Sequence, residues 1–192
     1  MQSDWAGLVT ATLRNPRAVA RSLIAWDLPR GVGATALSLM AVLSAILSSL
    51  AVRMAPLEGD PLVIEMFNSP IRVVILQALV LWITVGLMVG VGRMFGGKGQ
   101  VQDAIVLVAW VEAVLLLAQA LQVLLLLIAP PLSDIVGLGT VGLLFWLMAS
   151  FAAELHGFRS TFAVLLGVFG TLVVLSLAFI WTTAPRRKNR RW

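Results

Sequence analysis

The chain has 192 residues, of which 60% are apolar and only 12% are charged, and its mean hydropathy is +0.98. A soluble domain carries roughly 25% charged residues, so this composition excludes an ordinary soluble enzyme and predicts an integral membrane protein. The sequence contains no cysteine and one histidine. Disulfides, thiolate metal sites and cysteine nucleophiles are therefore excluded, and we expect neither a metal nor another cofactor.

Residues 1–30 are predicted to lie in the membrane interface as an amphipathic segment. Asn15-Pro16 is typical of a helix start, with Asn15 as N-cap and Pro16 in the first turn. The helix that follows has an apolar side and a basic side, which is the pattern of an interfacial helix. Its apolar side carries Val19, Leu23 and Trp26, with Trp26 at headgroup depth, and its other side carries Arg17 and Arg21.

Five hydrophobic segments follow, so residues 31–183 are predicted to form one all-α, five-span helical bundle. Each segment is long enough to cross the hydrocarbon core, which takes about 20 helical residues. A polar, acidic loop over 54–70 separates the first two, and Pro130-Pro131 is expected to end the third. The predicted spans are roughly 31–53, 71–94, 100–129, 135–155 and 160–183.

Small residues recur along two of these spans and predict faces for helix packing. In lipid, apolar bulk gains nothing at a helix contact, so close backbone approach must supply the attraction. The first span has a 4-3-4-3 spacing and the second a small-xxx-small pair. These residues are Ala34, Ser38, Ala41, Ala45 and Ser48 in the first span, and Gly86 and Gly90 in the second.

The turn Gly96-Gly97-Lys98-Gly99 has two interpretations. A glycine-rich phosphate cradle is one, but the P-loop spacing and a preceding strand are missing. A tight turn between two spans is sufficient and is favoured.

Residues 184–192 form a basic tail directly after the last span. A basic run at such a place is typical of a membrane-edge anchor that binds anionic headgroups. We favour this over nucleic-acid binding, and expect no nucleic-acid partner. Trp181 marks the end of the span, and the tail carries Arg186, Arg187, Lys188, Arg190 and Arg191.

The positive-inside rule does not fix the orientation. With five spans, seven Lys and Arg fall on each side of the membrane. If 100–129 instead entered and returned, eleven would lie on one side and three on the other. We favour a crossing, because this segment has no internal break and a long helix can tilt.

The layout resembles the bacterial branch of the YIP family (Yip-one domain membrane proteins) over roughly residues 10–183. Three segments carry the resemblance. They are Asn15-Pro16 with Arg17, Gly96-Gly97-Lys98-Gly99-Gln100 leading into Asp103-Ala104, and Phe151-Ala152-Ala153-Glu154-Leu155-His156-Gly157-Phe158.

The resemblance implies a five-span helical protein of the plasma membrane without an established enzymatic activity. Eukaryotic members are associated with Rab-type GTPases and vesicle membranes. Their aspartate-leucine-tyrosine-glycine-proline motif is absent here, and the chain contains no tyrosine. Rab binding is therefore not carried over.

Glu112 is the first candidate for function, because it lies near the middle of the third span. A carboxyl there costs about 2.5–3.5 kcal/mol on insertion scales, so it must be protonated, paired or facing polar groups. Gln119 is on the same helix face, and Gln122 flanks it. This polar stripe is either a hydrogen-bonding seam between helices, which is favoured, or a polar pathway. Gln77 in the second span is a hypothetical partner of the seam.

Glu154 and His156 form the second candidate pair, at the end of the fourth span. Two residues apart on a helix, their side chains diverge, and no third metal ligand is evident. Gly157 suits the position just past a helix end, where a histidine is also favoured by the helix dipole. Capping and interfacial anchoring are therefore favoured over proton handling.

These observations predict a non-enzymatic accessory or scaffold protein of a bacterial inner membrane. It would act by helix packing with a membrane partner, with a second copy or with lipids. The alternative is a small transporter or an ion- or lipid-permeation protein that uses Glu112.

Overall fold

The computed structural model describes residues 5–55 and 61–183, and these residues form eight helices and no strand. The chain is therefore all-α, as predicted. The helices are α1 (Trp5–Arg14), α2 (Pro16–Ala25), α3 (Arg30–Met54), α4 (Pro61–Phe67), α5 (Pro70–Met94), α6 (Val101–Ile128), α7 (Pro130–His156) and α8 (Thr161–Thr183).

Four helices in the described part of the chain, α3, α5, α6 and α7, are long and apolar enough to cross a membrane. The fifth predicted span corresponds to the 23-residue helix α8, whose first part, Thr161–Thr171, is apolar. The protein is thus a multi-pass membrane protein, and the five predicted segments correspond to five helices.

The third segment is a single uninterrupted helix. α6 has 28 residues, which gives it a length of about 42 Å, more than the roughly 30 Å hydrocarbon core. It therefore has the length to cross at a tilt, and no break is present at which it could turn back.

The start of the fourth span differs from the prediction. Pro130 and Pro131 begin α7 rather than separating it from α6, so that helix starts five residues earlier than expected. Proline is tolerated in the first helical turn, where its missing N–H would have no partner. Only Ala129 lies between α6 and α7.

Local signals placed two other helix ends correctly. The Asn15 side chain accepts a hydrogen bond from the backbone N–H of Ala18 at 3.2 Å, and Pro16 opens α2. Gly157 ends α7 with a φ of 72°, a left-handed conformation that costs glycine little.

α6 is the central helix of the bundle. It packs against α3, α5 and α7, while α8 lies on the outside and packs mainly against α7. The side chains that fill the interior are fully or almost fully buried. The largest of these are Leu37, Leu107, Leu147 and Phe151.

The N-terminal helices are docked onto the bundle. α2 buries Val19, Ala20 and Leu23 and packs against α7 and α6, and α1 packs against α2. α2 contacts the end of the bundle where the turn over 95–100 joins α5 to α6. We call this the glycine-turn end, and the opposite end, where α4 lies, the α4 end.

Candidate functional site

Glu112 lies where α3, α5 and α6 meet, and it is half-buried. Its Oε1 atom accepts a hydrogen bond from the Ser44 hydroxyl at 2.5 Å and another from Nε2 of Gln77 at 2.9 Å. One carboxyl oxygen therefore joins three helices. Hydrogen-bond donors of this kind lower the cost of placing a carboxyl in hydrocarbon.

Gln119 makes a second polar contact in the same seam. Its Nε2 donates to the Ser48 hydroxyl at 2.9 Å, about 10 Å along α6 from Glu112. The structure thus brings Glu112, Gln119 and Gln77 together with two serines of α3. We call these five residues the intramembrane seam.

Gln122 lies outside the seam. Its side chain lies against Gly137 of α7, where an added β-carbon would be 2.7 Å from Nε2 of Gln122. The backbone carbonyl of Gln122 accepts a hydrogen bond from the Ser133 hydroxyl at 3.1 Å. A cleft of about 290 Å³ opens here between α3, α6 and α7. Its polar lining residues are Ser48, Gln119, Gln122, Ser133 and Asp134.

Glu154 joins α7 to α2. Its side chain is 12% exposed, and its two oxygens accept Nε of Arg17 at 3.0 Å and Nε of Arg21 at 2.8 Å. Arg17 also donates to the carbonyl oxygens of Phe158 and Arg159 at 2.9 and 3.1 Å. These two arginines therefore bind a carboxylate within the protein, in addition to lying on the basic side of α2.

His156 is buried, with 7% exposure, and both ring nitrogens have backbone partners. Nδ1 accepts a hydrogen bond from the N–H of Gly99 at 3.1 Å, so Nε2 carries the proton and donates it to the carbonyl of Met88 at 2.9 Å. The ring stacks on Phe158 with centroids 5.5 Å apart. His156 thus joins α7 to α5 and to the turn over 95–100, which we call the glycine turn.

The glycine turn wraps around this imidazole. A β-carbon added to Gly92, Gly97 or Gly99 would overlap the His156 ring, and Gly96 has a φ of +84°. Glycine is the residue that permits both a positive φ and such close backbone approach. The geometry agrees with the tight-turn interpretation and explains why three of the four residues are glycine.

The small residues of α3 divide between a packed and an open side. Ala41 and Ala45 are each 1% exposed and Ser48 belongs to the intramembrane seam. Ala34 is half-buried, and Ser38 is exposed with its hydroxyl bonded to the Ala34 carbonyl. The buried face of α3 follows Gly33, Leu37, Ala41, Ser44 and Ala45.

Gly86 and Gly90 lie on the exposed side of α5, and a β-carbon at either would meet nothing within 4 Å. Trp26 and Trp181 are also exposed, at 49% and 85%. The basic residues of the tail, Arg186, Arg187, Lys188, Arg190 and Arg191, lie outside the described residues.

Sequence reasoning missed the helix α1 and its contact with α6. The indole N–H of Trp110 donates to the buried Thr12 hydroxyl at 3.0 Å, and Trp5 stacks on Trp110 with centroids 5.9 Å apart. Trp5 and Thr12 are seven residues apart and therefore share a helix face. That spacing is the signal that could have indicated the helix.

Among residues 5–55 and 61–183, no group of three or more His, Asp or Glu side chains is arranged to hold a metal ion. The hydrogen bonds of the intramembrane seam join neighbouring helices, and those of His156 join α7 to α5 and to the turn after it. The arrangement is therefore suited to joining helices.

A family model described as the Yip1 domain matches residues 10–182, which is most of the chain. The comparisons found no curated protein and no solved structure that matches the chain.

Proposed function

Since the chain belongs to the Yip1 domain family of membrane proteins, which is not known as a family of enzymes, we propose that it is a non-enzymatic accessory or scaffold protein. It acts by helix packing with a membrane partner, with a second copy or with lipids. We place it, as part of the same proposal, in a bacterial inner membrane.

The observation that carries this proposal is the bonding of Glu112. The Ser44 hydroxyl and the Gln77 amide both donate to its Oε1 atom, so the carboxyl has neutral partners on two neighbouring helices. An acid held in this way stabilises a helix contact. Glu112, the acidic residue in the middle of the third span, therefore has a structural role in this proposal.

The outer face of α5 supports packing with a partner. Ile75, Leu79 and Ile83 are at least half exposed, and the open positions Gly86 and Gly90 follow them on the same side. A pair of small residues beside large apolar side chains is typical of helix association in membranes.

The first experiment is extraction of the intact protein in a mild detergent, followed by sizing and identification of co-purified proteins. A partner in fixed ratio, lost in Gly86→Leu and retained in Gly170→Leu, would support the proposal. Gly170 is a matched control because it is also exposed with open space around it. Recovery of a lone monomer with lipid alone would contradict a role as partner subunit.

One observation favours a second candidate, a proton-coupled transporter. The polar cleft beside Gln119 opens between α3, α6 and α7, and Glu112 lies about two turns deeper on the same face of α6. Glu112→Gln removes the titratable group while keeping its size. Proton flux in reconstituted vesicles that is present in the wild type and lost in this variant would favour transport, whereas unchanged flux would eliminate it.

The basic tail completes the proposal. Its five Lys and Arg residues follow α8 directly, and such a cluster attracts anionic headgroups with about 1 kcal/mol per residue. We propose lipid headgroups as its partner. Removal of the tail should weaken binding to anionic vesicles without affecting helix packing.

A further inference from the structure

A large apolar groove lies between α5, α7 and α8, and its lining does not include Glu112 or the hydrogen-bond partners of Glu112. Its volume is about 630 Å³ and its lining is almost entirely apolar. It exists because α8 packs mainly against α7 and leaves α5 uncovered. At its inner end Phe145 stacks on Phe169 with centroids 4.8 Å apart, which holds α8 to α7.

The groove begins at the glycine-turn end. On one side it runs from Phe95, just after α5, inward to Thr84, and on the other from Ser160, just before α8, inward to Thr171. Eleven residues of helix correspond to about 16 Å, which is close to half of the roughly 30 Å hydrocarbon core. The groove therefore spans one leaflet and stops near the bilayer midplane.

The charged side chain of the groove lining is at the mouth. Arg159 lines it and is exposed, and none of the salt bridges between described residues uses its side chain. His156 also lines the groove, but both of its ring nitrogens are bonded to backbone. At the inner end, the hydroxyls of Thr84 and Thr171 bond to their own helices.

From this geometry we propose that the groove binds one acyl chain of an anionic phospholipid, with the lipid phosphate held by the Arg159 guanidinium. The length of the groove matches a chain from one leaflet. Arg159 forms no salt bridge with a described residue and lies at headgroup depth beside the N-terminus of α8. It complements a phosphate, and it favours an anionic lipid because no choline cation offsets the phosphate charge there.

A helix from another protein fits less well. A helix that crosses the hydrocarbon core is about 30 Å long, so it would continue past the midplane, where the groove ends. This site is separate from the intramembrane seam, so the inference does not depend on the scaffold role.

The test uses the full chain in phosphatidylcholine vesicles that contain a minor fraction of phosphatidylglycerol with a photoactivatable acyl chain. Labelled peptides are mapped by mass spectrometry. We expect label on the groove faces of α5 and α8, and its loss in Gly167→Phe, which fills the groove where an added β-carbon meets nothing within 4 Å. Gly170→Phe, on the same helix but outside the lining, should keep it.

A second variant tests the headgroup independently of groove filling. Arg159→Gln should lower groove labelling by phosphatidylglycerol about five-fold, as expected for one basic residue at an anionic surface. Lys98→Gln, exposed at the same end, should not. Equal groove labelling by a phosphatidylcholine probe would overturn the assignment of an anionic headgroup. Labelling unchanged in Gly167→Phe, or cross-links in the groove to a second copy, would overturn the lipid site itself.

Discussion

The backbone of Gly97 passes so close to the His156 ring that a β-carbon at Gly97 would overlap the imidazole. Nδ1 of the same ring accepts a hydrogen bond from the backbone N–H of Gly99. The loop between α5 and α6 is therefore shaped around one side chain from α7, and its glycines can be tested through that side chain.

Gly97→Ala should destabilise the protein by about 1–3 kcal/mol, because overpacking forces the ring or the turn to move. Gly86→Ala is the matched control, since space there is open, and it should be neutral or slightly stabilising. Thermal unfolding in detergent measures both. The double variant Gly97→Ala/His156→Ala should lose less stability than the sum of the losses in the two single variants. If the two losses simply add, the overlap with the ring is not the cause.

Glu112→Gln should leave stability nearly unchanged, because both hydrogen bonds end on one oxygen, Oε1, which an amide oxygen can replace. Glu112→Leu leaves the Ser44 and Gln77 donors without this acceptor and should cost about 1–2 kcal/mol. Unfolding in mixed detergent micelles with rising dodecyl sulfate measures the difference. If the glutamine variant is as unstable as the leucine variant, the carboxyl contributes through its charge and not through these bonds.

Glu154→Gln should loosen α2 from the bundle, because it removes the negative charge that binds Arg17 and Arg21. The chain has no native cysteine, so a single Val19→Cys on the buried face of α2 reports docking through its maleimide labelling rate. That rate should rise in the Glu154→Gln background. Glu65→Gln, which breaks the exposed pair with Arg72, is the control, and an equal rise there would argue against a specific link.

Thr12→Val should destabilise the contact between α1 and α6, because the buried indole N–H of Trp110 loses its acceptor. Leaving such a donor unpaired costs about 1–3 kcal/mol. Thr12→Ser keeps the hydroxyl and should behave like the wild type in thermal unfolding. In a Trp110→Phe background Thr12→Val should have little further effect, and a full effect there would show that the hydroxyl acts elsewhere.

Local patterns in the sequence predicted the long helices well, but they missed α1 and also α4, which lies inside the predicted loop over 54–70. Long apolar runs gave the spans to within a few residues, except where Pro130 extends α7. The N-cap at Asn15 and the left-handed end at Gly157 followed from the preferences of single residues. These features depend on neighbours in the chain, so one sequence is enough to infer them.

The candidate sites depend on contacts between distant residues. Arg17 and Glu154 are 137 residues apart, and helical periodicity describes only the faces on which they lie. The same holds for His156 and Gly99, 57 residues apart. The three segments that carry the family resemblance meet at the glycine-turn end, a proximity that tertiary packing creates and that spacing along the chain does not encode.

The connection of Glu112 to Ser44 and Gln77 has a consequence for biosynthesis. Both partners precede Glu112 in the chain, on α3 and α5, and the N-terminal part of a protein emerges from the ribosome first. We therefore expect the two donors to be in the bilayer before α6 is inserted, so that Glu112 meets its hydrogen-bond partners on entry. Because a single residue joins α6 to α7, we expect these two helices to insert together as a hairpin, and the order of synthesis would then limit the exposure of the carboxyl to lipid.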